Sequence, residues 1–123
     1  MKALSESWNH RFAGIGRLYG QDALPVLAQG HFMVIGLGGV GTWTAEALVR
    51  SGVGEITLID LDDVCVSNTN RQMHGLASKV GQSKVSVTAE RLLDINPEVK
   101  VHTIEAFIDV TNIQELITPT YHM

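Results

Sequence analysis

The chain contains a single cysteine, Cys65, so no intrachain disulfide can form, and this usage suits a reducing compartment. It has no apolar run of the ~18 residues that a membrane-crossing helix requires. Its first residues, MKALSESWNHRF, lack the apolar stretch of a secretory signal. Positive charge is in deficit: 9 Lys and Arg face 13 Asp and Glu, for a net charge of −4 with no basic run. That balance argues against binding nucleic acid through the net field of this chain. Internal repeats, low-complexity tracts and charge blocks are absent as well. What these absences leave is a cytoplasmic globular domain. At 123 residues and 45% hydrophobic content, it is long enough to bury a real core.

What the sequence does have is alternation. The polar and aromatic opening predicts a helix over residues 5–15, and QDALPVLAQG predicts a short second helix that Gly30 stops. HFMVIG then reads as a buried strand, residues 40–51 as a helix with Ala45, Leu48 and Val49 at helical spacing, and EITLID as a second strand. An irregular stretch covers residues 61–80. A helix over 82–95 follows, with Val85, Ala89, Leu92 and Leu93 on one face and Asn96-Pro97 at its end. VKVHTI is a third strand and VTNIQELI a fourth helix of this series, cut off by Thr118-Pro119. The expected domain plan is a helical arm, residues 1–30, then a partial nucleotide-binding domain, residues 31–123. The fold class is α/β: the N-terminal half of a doubly wound, Rossmann-like parallel sheet, ending before a fourth strand beside the first. The outer edge of the first strand is then exposed or covered by something else.

Gly36, Gly38, Gly39 and Gly41 lie in VIGLGGVG, between a strand and a helix. There they permit a tight turn, and the first N–H groups and positive end of the helix can hold a phosphate. The pattern says phosphate without saying which nucleotide, and a dehydrogenase domain remains open at this point. Asp60 closes the second strand 19 positions after Gly41, where a carboxylate receives ribose hydroxyls in such folds. Asp62 and Asp63 read as a solvated acidic turn, with Asp62 a secondary candidate near a metal.

Asn68, Asn70 and Arg71 follow just beyond the strand's C-terminal end, where open α/β sheets bind ligands. Breaking an α–β phosphate bond requires neutralising charge that builds up in the transition state. Arg supplies a permanently charged planar fork, and Asn amides donate to phosphate oxygens. A polar loop with one solvated Arg fits the spacing equally well. Lys84 favours the chemical reading, because it falls in the first turn of a helix, where the helix dipole disfavours a cation unless an anion shares the site.

GLGGVG, LIDLDDV, SNTNRQ, VGQSK and INP occur in the order and at the separations of a known family. From about residue 11 to its end, the chain resembles the adenylating enzymes of the ThiF, MoeB and HesA group, which are related to ubiquitin-activating enzymes. Within the group, RFAGIGRLYG and DDVCVSNTNRQ look most like the branch that dehydrates threonylcarbamoyladenosine in tRNA; the branch that activates sulfur carriers more often reads SNLQRQ. The resemblance implies ATP and Mg²⁺ as cofactors and attack of a substrate carboxylate on the α-phosphate, giving an acyl-adenylate and pyrophosphate. It implies tRNA as substrate of the intact protein, a homodimer, and sulfur-transfer proteins as further partners. Carried onto this chain, Gly36, Gly38, Gly39 and Gly41 take the phosphates and Asp60 the ribose. Asn68, Asn70, Arg71 and Lys84 hold the polyphosphate, with Arg71 and Lys84 catalytic.

Two departures matter. The family's metal-binding aspartate follows the next strand, so the main Mg²⁺ ligand is expected beyond Met123. In some members an arginine near the N-terminus enters a partner subunit's site, and Arg11 and Arg17 are both candidates. A chain of this extent is expected to bind nucleotide weakly and to perform no complete reaction. The alternatives are a sulfur-carrier adenylyltransferase, an NAD-binding domain that leaves Arg71 and Lys84 unexplained, and a non-catalytic nucleotide-binding remnant.

The remaining residues read as structural. Cys65, in an apolar VCV setting, is expected to be a buried thiol. His10, His31, His74, His102 and His122 show no metal-ligand spacing, so no metal site and no zinc is expected from this chain. Trp8, Phe12 and Tyr19 are expected to pack the arm.

Overall fold

The computed structural model describes residues 4–117. The arm is two helices, α1 (Glu6–Tyr19) and α2 (Ala23–Gln29). Ser5 caps α1 by accepting from the Trp8 N–H at 3.0 Å, and Gly20 ends it at φ 95°, a conformation that favours glycine. The helix runs four residues past the expected end at residue 15. Its glycines do not break it because Gly16 lies at the crossing with α2, where a Cβ would come within 3.0 Å of the Leu24 side chain. Trp8 and Phe12, one helical turn apart, bury against Leu24 with ring centroids 4.7 Å apart. Tyr19, expected to join them, falls on the same face two turns beyond Phe12 but is the last residue of α1, and it is exposed.

Three strands follow, β1 (His31–Ile35), β2 (Glu55–Ile59) and β3 (Lys100–Ile104), all parallel in the order β1-β2-β3. His31 pairs with Glu55 and Glu55 with Lys100, so the five-residue strands start level. The crossovers are α3 (Gly41–Arg50) and α4 (Lys84–Ile95). Alternate strand residues Val34, Ile56 and Leu58 pack against Ala45 and Val49 of α3 and Val85 and Leu92 of α4. Glu46 is buried between these helices, bonded to Arg50 at 3.0 Å and to Arg91 at 2.5 Å. Leu93 is exposed rather than part of the packed face, since the helix turns it about 100° away from Leu92. The other sheet face carries His31, Met33 and Ile35, then Glu55, Thr57 and Ile59, then Lys100, His102 and Ile104.

The arm joins the sheet at the N-terminal ends of the strands. Gly54 donates to Leu27 O at 3.1 Å, and a Cβ on Gly54 would stand 1.8 Å from Ala28 O, so this junction accepts only glycine. Residues 61–80 lack long elements but are ordered by two short 3₁₀ turns, Val66–Asn70 and Ala77–Lys79. Val64 N bonds Gln82 O and Gly81 N bonds Val64 O, closing the loop onto the start of α4. Within it Cys65 is exposed, contrary to expectation: Val64 turns inward, and alternation turns Cys65 out. The last expected helix shrinks to one turn, α5 (Ile113–Leu116). Asp109 accepts from the N–H groups of Thr111 and Asn112, and these side-chain bonds hold the chain in a turn where helix was expected. No helix among the described residues is long and apolar enough to cross a membrane.

Candidate nucleotide site

The four glycines between β1 and α3 divide into two kinds. Gly36 has φ 90°, and a Cβ on Gly41 would stand 1.8 Å from Gly36 O, so the turn itself requires both. At Gly38 an added Cβ meets nothing within 4 Å, and at Gly39 it meets Arg71, its stem at 3.5 Å and its carbonyl oxygen at 3.9 Å. The fold therefore leaves space over these two. The N–H groups of Gly38, Gly39, Val40 and Gly41 donate to no described residue, and Val40 gives α3 no side-chain cap. Unpaired donors at a positive helix end beneath open space form an anion cradle. A groove of about 540 Å³ borders it, lined by Val34, Ile35, Gly36, Val40, Gly41 and Thr44 along the outer edge of β1. That edge pairs with no strand among the described residues, and Ile35 and Val40 are exposed.

Asp60 follows β2 directly and faces this turn. Its Oδ2 accepts from Leu37 N at 2.7 Å and its Oδ1 from Asp62 N at 2.8 Å. It thus ties the glycine turn to the start of the following loop, while each oxygen keeps a second lone pair for a ligand hydroxyl. Arg71 lies against Gly39 through its stem, and its Nη1 donates to Ser67 O at 3.1 Å and Asn70 Oδ1 at 2.9 Å. These bonds hold Asn70 and the guanidinium side by side, exposed at the mouth of the cradle. Asn68 behaves differently. It is buried, and its Oδ1 accepts from Cys65 N at 2.7 Å, capping the 3₁₀ turn that carries Asn70 to Arg71.

Lys84 is the first residue of α4, 7% exposed, and has no carboxylate partner among the described residues. Its N–H donates to Asp62 O at 3.1 Å, which places it beside the turn that Asp60 closes. A cation at a positive helix end is disfavoured by the helix dipole until an anion shares the site.

Three further residues fasten the loop to the glycine turn. His74 is fully buried and its Nε2 bonds Leu37 O at 2.8 Å, while its Nδ1 has no partner among the described residues. Burial pushes its pKa below the ordinary imidazole value. The Leu37 bond and Asp60 oppose that shift, and the Lys84 charge adds to it. Trp43 Nε1 donates to Arg71 O at 2.9 Å, and Thr42 Oγ1 accepts from Met73 N at 3.4 Å while donating to Gly38 O at 2.7 Å. Nothing in the local spacing signals these contacts, although a tryptophan on an exposed helix position is itself unusual. Of the arm arginines, Arg11 donates to Ile95 O at 3.2 Å, and Arg17 is exposed.

A family model described as the ThiF family matches residues 13–121. The chain is 50% identical over 118 residues to the tRNA threonylcarbamoyladenosine dehydratase of Escherichia coli strain K12, covering 96% of this chain and 44% of that protein. It is 36% identical over 96 residues to the molybdopterin-synthase adenylyltransferase of the same organism, covering 78% of this chain and 39% of the relative. The crystal structure of the E. coli dehydratase in complex with ATP superposes with a TM-score of 0.96 at 49% identity, over 98% of this chain and 49% of that one. The chain thus spans about half the length of the relatives it matches. With the strand–glycine–helix turn, the Asp60 bridge and Arg71 in place, and a family match over most of its length, the chain belongs to the ThiF family.

Proposed function

We propose that this chain supplies the ATP-binding, adenylating portion of a tRNA threonylcarbamoyladenosine dehydratase. The carrying observation is the row of unpaired N–H groups from Gly38 to Gly41 under open space, with the Arg71 stem laid against Gly39. In this reading the cradle holds the phosphates and Asp60 the ribose hydroxyls. Arg71, Asn70 and Lys84 gather the polyphosphate charge. Asn68 contributes chiefly by holding the loop that presents them. A carboxylate oxygen of the substrate attacks the α-phosphorus, the α–β bridging bond breaks, and pyrophosphate leaves. The two cations stabilise the charge that shifts onto it. The activated acyl group then closes into a ring and AMP departs.

Mg²⁺ fits the exposed carboxylates of Asp62 and Asp63, which offer the hard oxygen ligands it prefers. When bound, Mg²⁺ supplies further charge neutralisation at the phosphates. Identity of 50% to a dehydratase against 36% to a molybdopterin-synthase adenylyltransferase favours the tRNA substrate over a ubiquitin-like sulfur carrier. The same reading takes the intact protein as a cytoplasmic homodimer.

Calorimetry of the folded chain with Mg-ATP and, separately, NADH tests the nucleotide assignment. Saturable ATP binding without NADH binding is expected, weakened tenfold or more in Arg71→Ala. A preference for NADH would return the glycines to a dehydrogenase role. In a protein that carries the complete domain, pyrophosphate exchange should respond to modified tRNA. A response to a Gly-Gly-tailed carrier instead would assign the other branch.

A further inference from the structure

At the opposite end of the sheet, His31, Glu55 and His102 converge on one face. Their candidate ligand atoms, one from each side chain, all lie within 4.8 Å of one another. We propose that these three side chains form a site for a divalent transition ion of the Zn²⁺ class, independent of the nucleotide cradle.

The donor set is two imidazoles and a carboxylate, which together with a water molecule make the tetrahedral environment Zn²⁺ takes. Each donor stands on a different strand of a rigid parallel sheet, so the backbone fixes their spacing. His31 and Glu55 are register partners, and His102 sits two positions along β3 from Lys100, the register partner of Glu55. His31 Nε2 bonds Thr57 Oγ1 at 2.9 Å. With the Nε2 proton on that bond, the Nδ1 lone pair faces Glu55 Oε2 at 3.7 Å. A proton on Nδ1, or a metal ion in its place, satisfies that pair. Two ligands of one tetrahedral Zn²⁺ stand about 3.4 Å apart, given bonds of about 2.0–2.1 Å. Thr57, fully buried, thereby orients His31 as a supporting hydrogen-bond partner orients a metal-bound histidine.

The second histidine bonds Glu55 directly, His102 Nε2 to Oε2 at 2.6 Å. Binding an ion there replaces the proton on His102 Nε2, which relocates to Nδ1 through water. The His102 side chain is 52% exposed, so it can draw back to ligand distance and the ion can enter from solvent. Burial alone would raise the Glu55 carboxyl. The His102 bond and the charges of His31, His102 and Lys100 outweigh it and keep the group ionised at neutral pH, as a ligand must be.

The test uses the untagged chain, Zn²⁺ in calorimetry and Co²⁺ as a spectroscopic probe. One equivalent of Zn²⁺ should bind, with Co²⁺ giving visible bands of low-symmetry nitrogen and oxygen ligation. His102→Ala, His31→Ala and Glu55→Gln should each weaken binding tenfold or more while circular dichroism stays native. His10→Ala, on exposed α1, should leave it unchanged, and thermal unfolding should rise with Zn²⁺ only where the three ligands are intact. No saturable uptake, equal affinity in His102→Ala, or loss in His10→Ala would overturn the site.

Discussion

The two ends of the parallel sheet solve the problem of polar atoms in opposite ways. At the C-terminal end, among the described residues, the Gly38–Gly41 N–H groups have no acceptor, Lys84 is buried without a carboxylate partner, and Gly38 faces open space. At the N-terminal end His31, Glu55, Thr57 and His102 bond one another across three strands. The first end is incomplete without a ligand of opposite charge. The second stands on its own, and an ion would exchange one set of contacts for another. Parallel strands produce this asymmetry because every crossover helix begins at the C-terminal end and brings its unsatisfied donors there.

The largest effects should separate glycines that the fold needs from glycines that a ligand needs. Gly41→Ala and Gly54→Ala each push a Cβ to 1.8 Å from a carbonyl oxygen, one at each end of the sheet. Both should lose about 3 kcal/mol or more in denaturant unfolding, or fail to fold. Gly38→Ala meets nothing and should stay within about 0.5 kcal/mol of the parent, yet weaken ATP tenfold or more because the methyl group fills the cradle. If Gly38→Ala bound ATP normally, the open space would have no ligand role and the contrast between the ends would collapse.

A smaller effect is expected from Asp60→Ala. It removes the acceptor for Leu37 N and Asp62 N, at a cost of about 1.5–3 kcal/mol for bonds to a charged group. ATP affinity should fall in the same variant. Unchanged affinity in calorimetry, with stability lowered, would leave Asp60 a bridge within the fold and remove it from ribose binding.

The smallest effect concerns pH. Burial holds the pKa of His74 below the ordinary value of 6.5, so its folded form favours the neutral ring. The stability this provides is complete above pH 6.5 and is lost as pH falls through the depressed folded value. Urea midpoints should therefore drop from pH 7.5 to 5.5, and the drop should be shallower in His74→Gln. Parallel declines in the two proteins would show that other groups carry the pH dependence.

Much of the C-terminal end was legible before the fold. Strand, glycine turn and helix are local features, and Asp60 and Arg71 lie at short, fixed offsets beyond β2. The offsets did not reveal that Asn68 turns inward to cap a 3₁₀ turn, nor that Cys65 faces solvent; both depend on which way a non-repetitive loop twists. His74 was also beyond reach, because its partner Leu37 is 37 residues away. The expectation of no metal site rested on local histidine spacing. Glu55 and His102 are 47 residues apart and meet only because β2 and β3 pair in register.

The sequence by itself determined the alternation of strands and helices, the phosphate-type turn and the family, because each is written in short-range periodicity and motif spacing. Only the tertiary structure decided which glycines stand under open space, that Arg71 lies over Gly39, and that two histidines and a glutamate share one face. Those are distances between segments remote in the chain, and strand register and helix packing set them.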